Sequence, residues 1–197
     1  MYFSTTILVG IRRISEHLSV GVLDLAGFAK VSSCKGKREI ERAGTRHLLN
    51  EMLRGEEVKI CYTPENKPYL DGRKEHISIS HSHDRLAIAL NSSESTGIDI
   101  ELLRDKVKNV AHKFLNPAEA AYAGLDVEKL IRIWAAKEAL YKAFSKKGID
   151  FKTQLEVDDA GPGLLKGKIR MNGDSKEYLL FHKRMQEYML VFTLNEI

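Results

Sequence analysis

The order of elements constrains this chain most. Residues 37–54 and 127–144 each carry apolar side chains at helical spacing, and each stretch is followed by short strands that end in a hairpin. The first helix is stopped by Gly55. Between the two, the polar and small stretch 91–96 divides the sequence. A helix followed by strands, twice over, predicts an α+β fold. It would comprise two similar subdomains, residues 1–93 and 94–197, related by a pseudo-twofold axis with a ligand cleft between them. Strands are predicted at 7–11, 58–62, 77–80, 86–90, 97–101, 154–157, 164–170, 178–184 and 188–194. Residues 15–28 read as a helix and turn, 63–72 as a loop, and 106–114 and 117–123 as further helices.

Composition narrows the class. Of the 197 residues, 43% are hydrophobic and 29% are charged, which excludes a disordered chain and a bundle of membrane spans. Only Cys34 and Cys61 are available for disulfides, so a reducing compartment is expected. With no basic, apolar leader pattern, the expected location is cytoplasmic and off the membrane. The net charge is +4, and the segment 30–46 alone holds six cations against two acids. Such a cluster is either a solvated helix face or a site for an anion. It has no aromatic residues interleaved, which argues against RNA.

Four segments carry residues suited to chemistry. In Gly97-Ile98-Asp99-Ile100-Glu101 the alternation of a strand puts both acids on one face. They form either an exposed face of solvated acids or an oxygen-donor site for Mg²⁺. In the helix Trp134 to Phe144, Lys137 falls inside the arc formed by Leu130, Ile133, Leu140, Tyr141 and Phe144. A lysine there must snorkel or meet a buried anion. Glu138 and Lys142 are i,i+4 neighbours on the same helix. Arg46 shares a stripe with Leu49 and Leu53, so it lies at the core margin, where a guanidinium can reach a phosphate in a cleft. Asn66-Lys67-Pro68 and Ile79-Ser80-His81-Ser82 add a lysine, a hydroxyl and an imidazole. Zinc spacing, a G-x-S-x-G elbow, a P-loop and a dinucleotide fingerprint are all absent.

In this order the segments resemble the 4′-phosphopantetheinyl transferase superfamily, specifically its surfactin-type, single-chain branch. The signatures are Gly97-Ile98-Asp99 and Trp134-Ala135-Ala136-Lys137-Glu138-Ala139-Leu140-Tyr141-Lys142. The resemblance implies transfer of 4′-phosphopantetheine from coenzyme A to a serine of an acyl or peptidyl carrier protein, a holo-carrier synthase activity releasing 3′,5′-ADP. It implies that Asp99, Glu101 and Glu138 hold Mg²⁺, or alternatively Mn²⁺. Glu138 and Lys142 would be catalytic. Arg46, Lys67, Ser80, His81, Lys137 and Lys142 would bind coenzyme A, with one or more of Lys30, Lys35, Lys37 and Arg38 helping. Ile100 is apolar, so water would take the place of a ligand between the two acids. The implied partner is an acidic carrier protein met by a monomer, with no nucleic acid. The alternatives are a binding module for coenzyme A or RNA, and a Mg²⁺-dependent nucleotide hydrolase on the same fold.

Overall fold

The computed structural model describes residues 8–171 and 173–197. Its strands are β1 (Leu8–Arg13), β2 (Leu18–Asp24), β3 (Ile60–Tyr62), β4 (Pro68–Leu70), β5 (His76–Ser82), β6 (Arg85–Asn91), β7 (Ile98–Leu102), β8 (Leu155–Asp159), β9 (Leu164–Met171), β10 (Asp174–Met185) and β11 (Tyr188–Glu196). Its α-helices are α1 (Leu25–Val31), α2 (Lys37–Met52), α3 (Pro117–Ala123) and α4 (Val127–Phe144). The strands form two antiparallel sheets, ordered β1-β2-β6-β5-β4-β3 and β7-β11-β10-β9-β8. The second order repeats the first once β1 is set aside. In each half a first strand leads through a short and a long helix to four successive strands, the last of which returns beside the first. The fold is thus α+β, built from two copies of one topology.

Alternation along the strands explains the layers. Leu86, Ile88 and Leu90 of β6 face Leu48 and Leu49 of α2, while Ala87 and Ala89 face the second sheet. On β11, Leu190 and Phe192 face the first sheet, while Met189 and Val191 face α4. The order of layers is therefore α2, first sheet, second sheet, α4, with the two sheets packed face to face.

Several local expectations change. The stretch 15–28 holds β2 and the start of α1 rather than a helix and turn, because Leu18, Val20 and Val22 alternate into the sheet core. Asp24 then caps α1 by accepting from the Ala26 N–H at 3.0 Å. The helix predicted at 106–114 is two 3₁₀ turns, Asp105–Asn109 and Ala111–Lys113. Only Val107 and Phe114 of that stretch are buried, too few for an α-helical stripe. The loop 63–72 contains the short strand β4, with Pro68 at its first position. Ile7, expected in the first strand, lies outside the described residues. No helix among the described residues is long and apolar enough to cross a membrane.

Candidate active site

The site begins with a glycine. A Cβ on Gly97 would stand 1.8 Å from the Ala139 carbonyl oxygen, so only glycine lets β7 enter this close to α4. Ile98 and Ile100 then turn into the core between the sheets, and Asp99 and Glu101 turn toward α4. On α4, Trp134, Glu138 and Lys142 recur every four residues along one face. Lys142 Nζ donates to Asp99 Oδ1 at 2.7 Å and to the Ile98 carbonyl at 3.0 Å. Trp134 Nε1 donates to Glu101 Oε1 at 3.2 Å. From β5, Ser80 Oγ donates to Asp99 Oδ1 at 2.6 Å and Ser82 Oγ to Glu101 Oε2 at 2.8 Å.

Asp99 is only 4% exposed, which excludes the reading of two solvated acids. The three carboxylates feel one another. Burial and the Asp99 charge push the Glu138 carboxyl up to about 7 against the pull of Lys142, and Glu101 adds to the rise. Burial and Asp99 likewise raise Glu101. Asp99 Oδ2 is buried without a hydrogen-bond partner. An orphaned carboxylate oxygen among mutually repelling acids suits a hard cation. Even so, no three His, Cys, Asp or Glu side chains among the described residues already stand together as a metal cage. Asp99 Oδ1 and both Glu101 oxygens already have donors. An ion such as Mg²⁺, which keeps several waters and takes only one or two protein carboxylates, would be compatible with this donor set.

Beside the acids lies a cleft of about 760 Å³, lined from both halves. The first half contributes Arg38, Arg42, Arg46, Lys67 and His81; the second contributes Tyr141, Lys142, Lys146 and Lys147. Glu41 and Glu65 are its only acids among the described lining residues, so the field inside is strongly positive. Burial draws the Lys67 ammonium below the usual lysine range, and its Nζ donates to Ser95 Oγ at 2.9 Å. His81 Nδ1 stands 3.6 Å from Glu41 Oε1. Lys142 belongs to both places, lining the cleft while bonded to Asp99.

The structure brings Arg46, Lys67, His81 and Lys142 to this cleft; Asp99, Glu101 and Glu138 do not line it and are joined to it through Lys142, which bonds Asp99. Two expected ligand contacts need correction. Ser80 points from the opposite face of β5 to His81, and its hydroxyl is engaged by Asp99 rather than open to a phosphate. Lys137 has no exposure at all. Its Nζ donates to Glu119 Oε2 at 2.6 Å, the Phe114 carbonyl at 2.7 Å and the Phe151 carbonyl at 2.8 Å. The anion inside the apolar arc is therefore Glu119, neither a β7 acid nor a ligand. Glu119 also caps α3 with Asn116 and accepts from the Val157 N–H. It escaped sequence reasoning, although Asn116-Pro117-Ala118-Glu119 has the spacing of a capping box. Arg42, part of the basic cluster and on the stripe of Arg46, also faces the cleft; Lys146 and Lys147, just past the end of α4, were missed.

Two repeated α+β halves thus enclose a cationic cleft that Lys142 joins to clustered carboxylates, an arrangement that suits a phosphate-bearing ligand. Residues 95–191 match the family described as the 4′-phosphopantetheinyl transferase superfamily. That stretch includes β7, α4 and all three clustered acids. The chain is also 30% identical over 101 residues to the 4′-phosphopantetheinyl transferase AcpT of Escherichia coli O157:H7. The alignment covers 48% of this chain and 48% of that protein, so it spans about half the length of the relative. Both findings support the phosphopantetheinyl transferase superfamily.

Proposed function

We propose that this chain moves the 4′-phosphopantetheine group of coenzyme A onto a serine of an acyl or peptidyl carrier protein. The observation that carries the reading is Lys142, which stands where the cationic cleft meets the acids. Diphosphate and carboxylates are the two kinds of group that such a junction brings together. In this reading the cleft cations, Arg46 and Lys67 among them, hold the phosphates of coenzyme A, and His81 reads the same ligand from β5. Asp99 through Oδ2 and Glu138, with Glu101 beside them, would hold Mg²⁺ or Mn²⁺. A bound divalent ion would supply charge neutralisation on the diphosphate.

The carrier serine oxygen forms a bond to the β-phosphorus. The bond from that phosphorus to the bridging oxygen breaks, and 3′,5′-ADP leaves. Glu138, directly or through water, takes the serine proton. Lys142 and the cleft cations stabilise charge on the departing phosphate.

We further assign the chain to the single-chain, surfactin-type branch. Halves 1–93 and 94–197 would then grip coenzyme A and carry the acids, respectively. The positive cleft suits a monomer meeting an acidic carrier in the cytoplasm rather than a nucleic acid. Incubation with apo carrier protein, coenzyme A and Mg²⁺ should raise the carrier's mass by one phosphopantetheine. Unchanged carrier mass with wild-type protein removes the proposal. Release of free phosphopantetheine or phosphate without a carrier would point to a hydrolase instead.

A further inference from the structure

β7 is an edge strand, paired with β11 on one side only. Its outward N–H groups have no strand to bond, and buried amides must be satisfied somewhere. The first sheet supplies the partners from side chains. The amides of Ile98, Ile100 and Leu102 donate to Ser78 Oγ, Ser80 Oγ and Ser82 Oγ at 3.1, 3.3 and 3.2 Å. These serines recur at every second position of β5, so they share one face, and all three are buried.

A hydroxyl that accepts an amide still has its own proton to give. Ser80 gives it to Asp99 and Ser82 to Glu101. Among the described residues Ser78 has no carboxylate partner. The ladder alone would account for all three serines equally; the acids engage only two of them. Asp99 Oδ1 is consequently held by two donors, Ser80 and Lys142, which leaves Oδ2 as its one buried oxygen without a partner.

We propose that Ser80 and Ser82 are positioning residues that orient Asp99 and Glu101 for a divalent cation, while Ser78, which also lines the cleft, completes the β7 edge without touching an acid. The inference rests on the transferase reading for the cation's use, but the orientation can be read without catalysis. Ser78→Ala, Ser80→Ala, Ser82→Ala and Ser80→Thr variants of the full chain would be titrated with Mn²⁺ and followed by electron paramagnetic resonance, with no coenzyme A present. Melting temperatures would be recorded alongside.

Loss of a hydrogen bond to a charged group should weaken Mn²⁺ binding about tenfold or more in Ser80→Ala, and in the same direction in Ser82→Ala. Ser78→Ala should lower the melting temperature comparably yet keep Mn²⁺ affinity within about twofold of wild type. Ser80→Thr retains the hydroxyl and should recover most of the affinity. If Ser80→Ala does not fold, Ser82→Ala against Ser78→Ala decides. Equal Mn²⁺ affinity in the three alanine variants overturns the inference, because the hydroxyls would then serve the edge alone. A wild type that binds no Mn²⁺ overturns it together with the metal assignment. The expected Mn²⁺ pattern in a chain that modifies no carrier would uphold the inference while the transferase reading fails.

Discussion

Glu119 shows how much a single side chain can organise. It accepts from Lys137, from the Asn116 N–H at the start of α3, and from the Val157 N–H on β8. Burial draws the Lys137 ammonium below its ordinary range, and Glu119 opposes the change. Removing one partner of a buried pair leaves the other uncompensated, so Lys137→Met should destabilise the fold by about 3–5 kcal/mol. Thermal melts should show a fall of about 10 °C for a chain of this size. Coenzyme A affinity of the folded fraction should stay near wild type, since Lys137 does not line the cleft. A stable variant with weakened coenzyme A binding would reverse that assignment. Arg46 belongs to the opposite case: it faces the cleft. Arg46→Ala should weaken coenzyme A about tenfold or more, at 1.5–3 kcal/mol for a charged hydrogen bond, and dephospho-coenzyme A much less. Equal losses measured by calorimetry would place Arg46 away from the 3′-phosphate.

At the scale of elements, the contact between β7 and α4 sets the distance across which Asp99, Glu138 and Lys142 act. Gly97 limits that contact, and the obstacle to any larger residue is the Ala139 backbone, which has no rotamer to change. Gly97→Ala must therefore part the strand from the helix. Overpacking alone is typically about 1–3 kcal/mol. Carrier modification should fall further than stability does, because the shift separates the acids from Lys142. Denaturant melts beside an activity assay check this; activity reduced only in proportion to the folded fraction would mean that the contact carries packing alone. Element boundaries were legible where period and caps agreed. Asn116 and Pro117 open α3, and Asp126 opens α4 by accepting from the Glu128 and Lys129 amides. They were not legible at 15–28, where a buried strand runs straight into a capped helix and the two periods overlap.

For the whole molecule, the two sheets share one core. Ile98, Ile100, Leu190 and Phe192 of the second half close against Leu18, Val20, Ala87 and Ala89 of the first. The serine ladder adds polar contacts across the same boundary. The family match over 95–191 therefore does not delimit a part that stands alone. A fragment of residues 94–197 would expose that apolar face and leave the outward β7 amides bare. It should show no cooperative melting transition and should aggregate, whereas the full chain melts in one step. A soluble fragment with a sharp transition by circular dichroism would show that the halves fold independently.

Periodicity and local chemistry determined the α+β class, the repeated helix-then-strands order and the two motifs on β7 and α4. Each depends on neighbours in the chain: strand alternation pairs Asp99 with Glu101, and helical spacing pairs Glu138 with Lys142. Direction and partnership across the fold depended on tertiary structure. A helical wheel places Lys137 in an apolar arc but cannot tell which acid reaches it, and Glu119 arrives from another helix. Ser80 and His81 are adjacent in sequence, yet the pleat sends one to Asp99 and the other to the cleft. Which face of β5 meets the second sheet is decided only when the two sheets pack, because that packing buries one set of side chains and leaves the other beside the cleft.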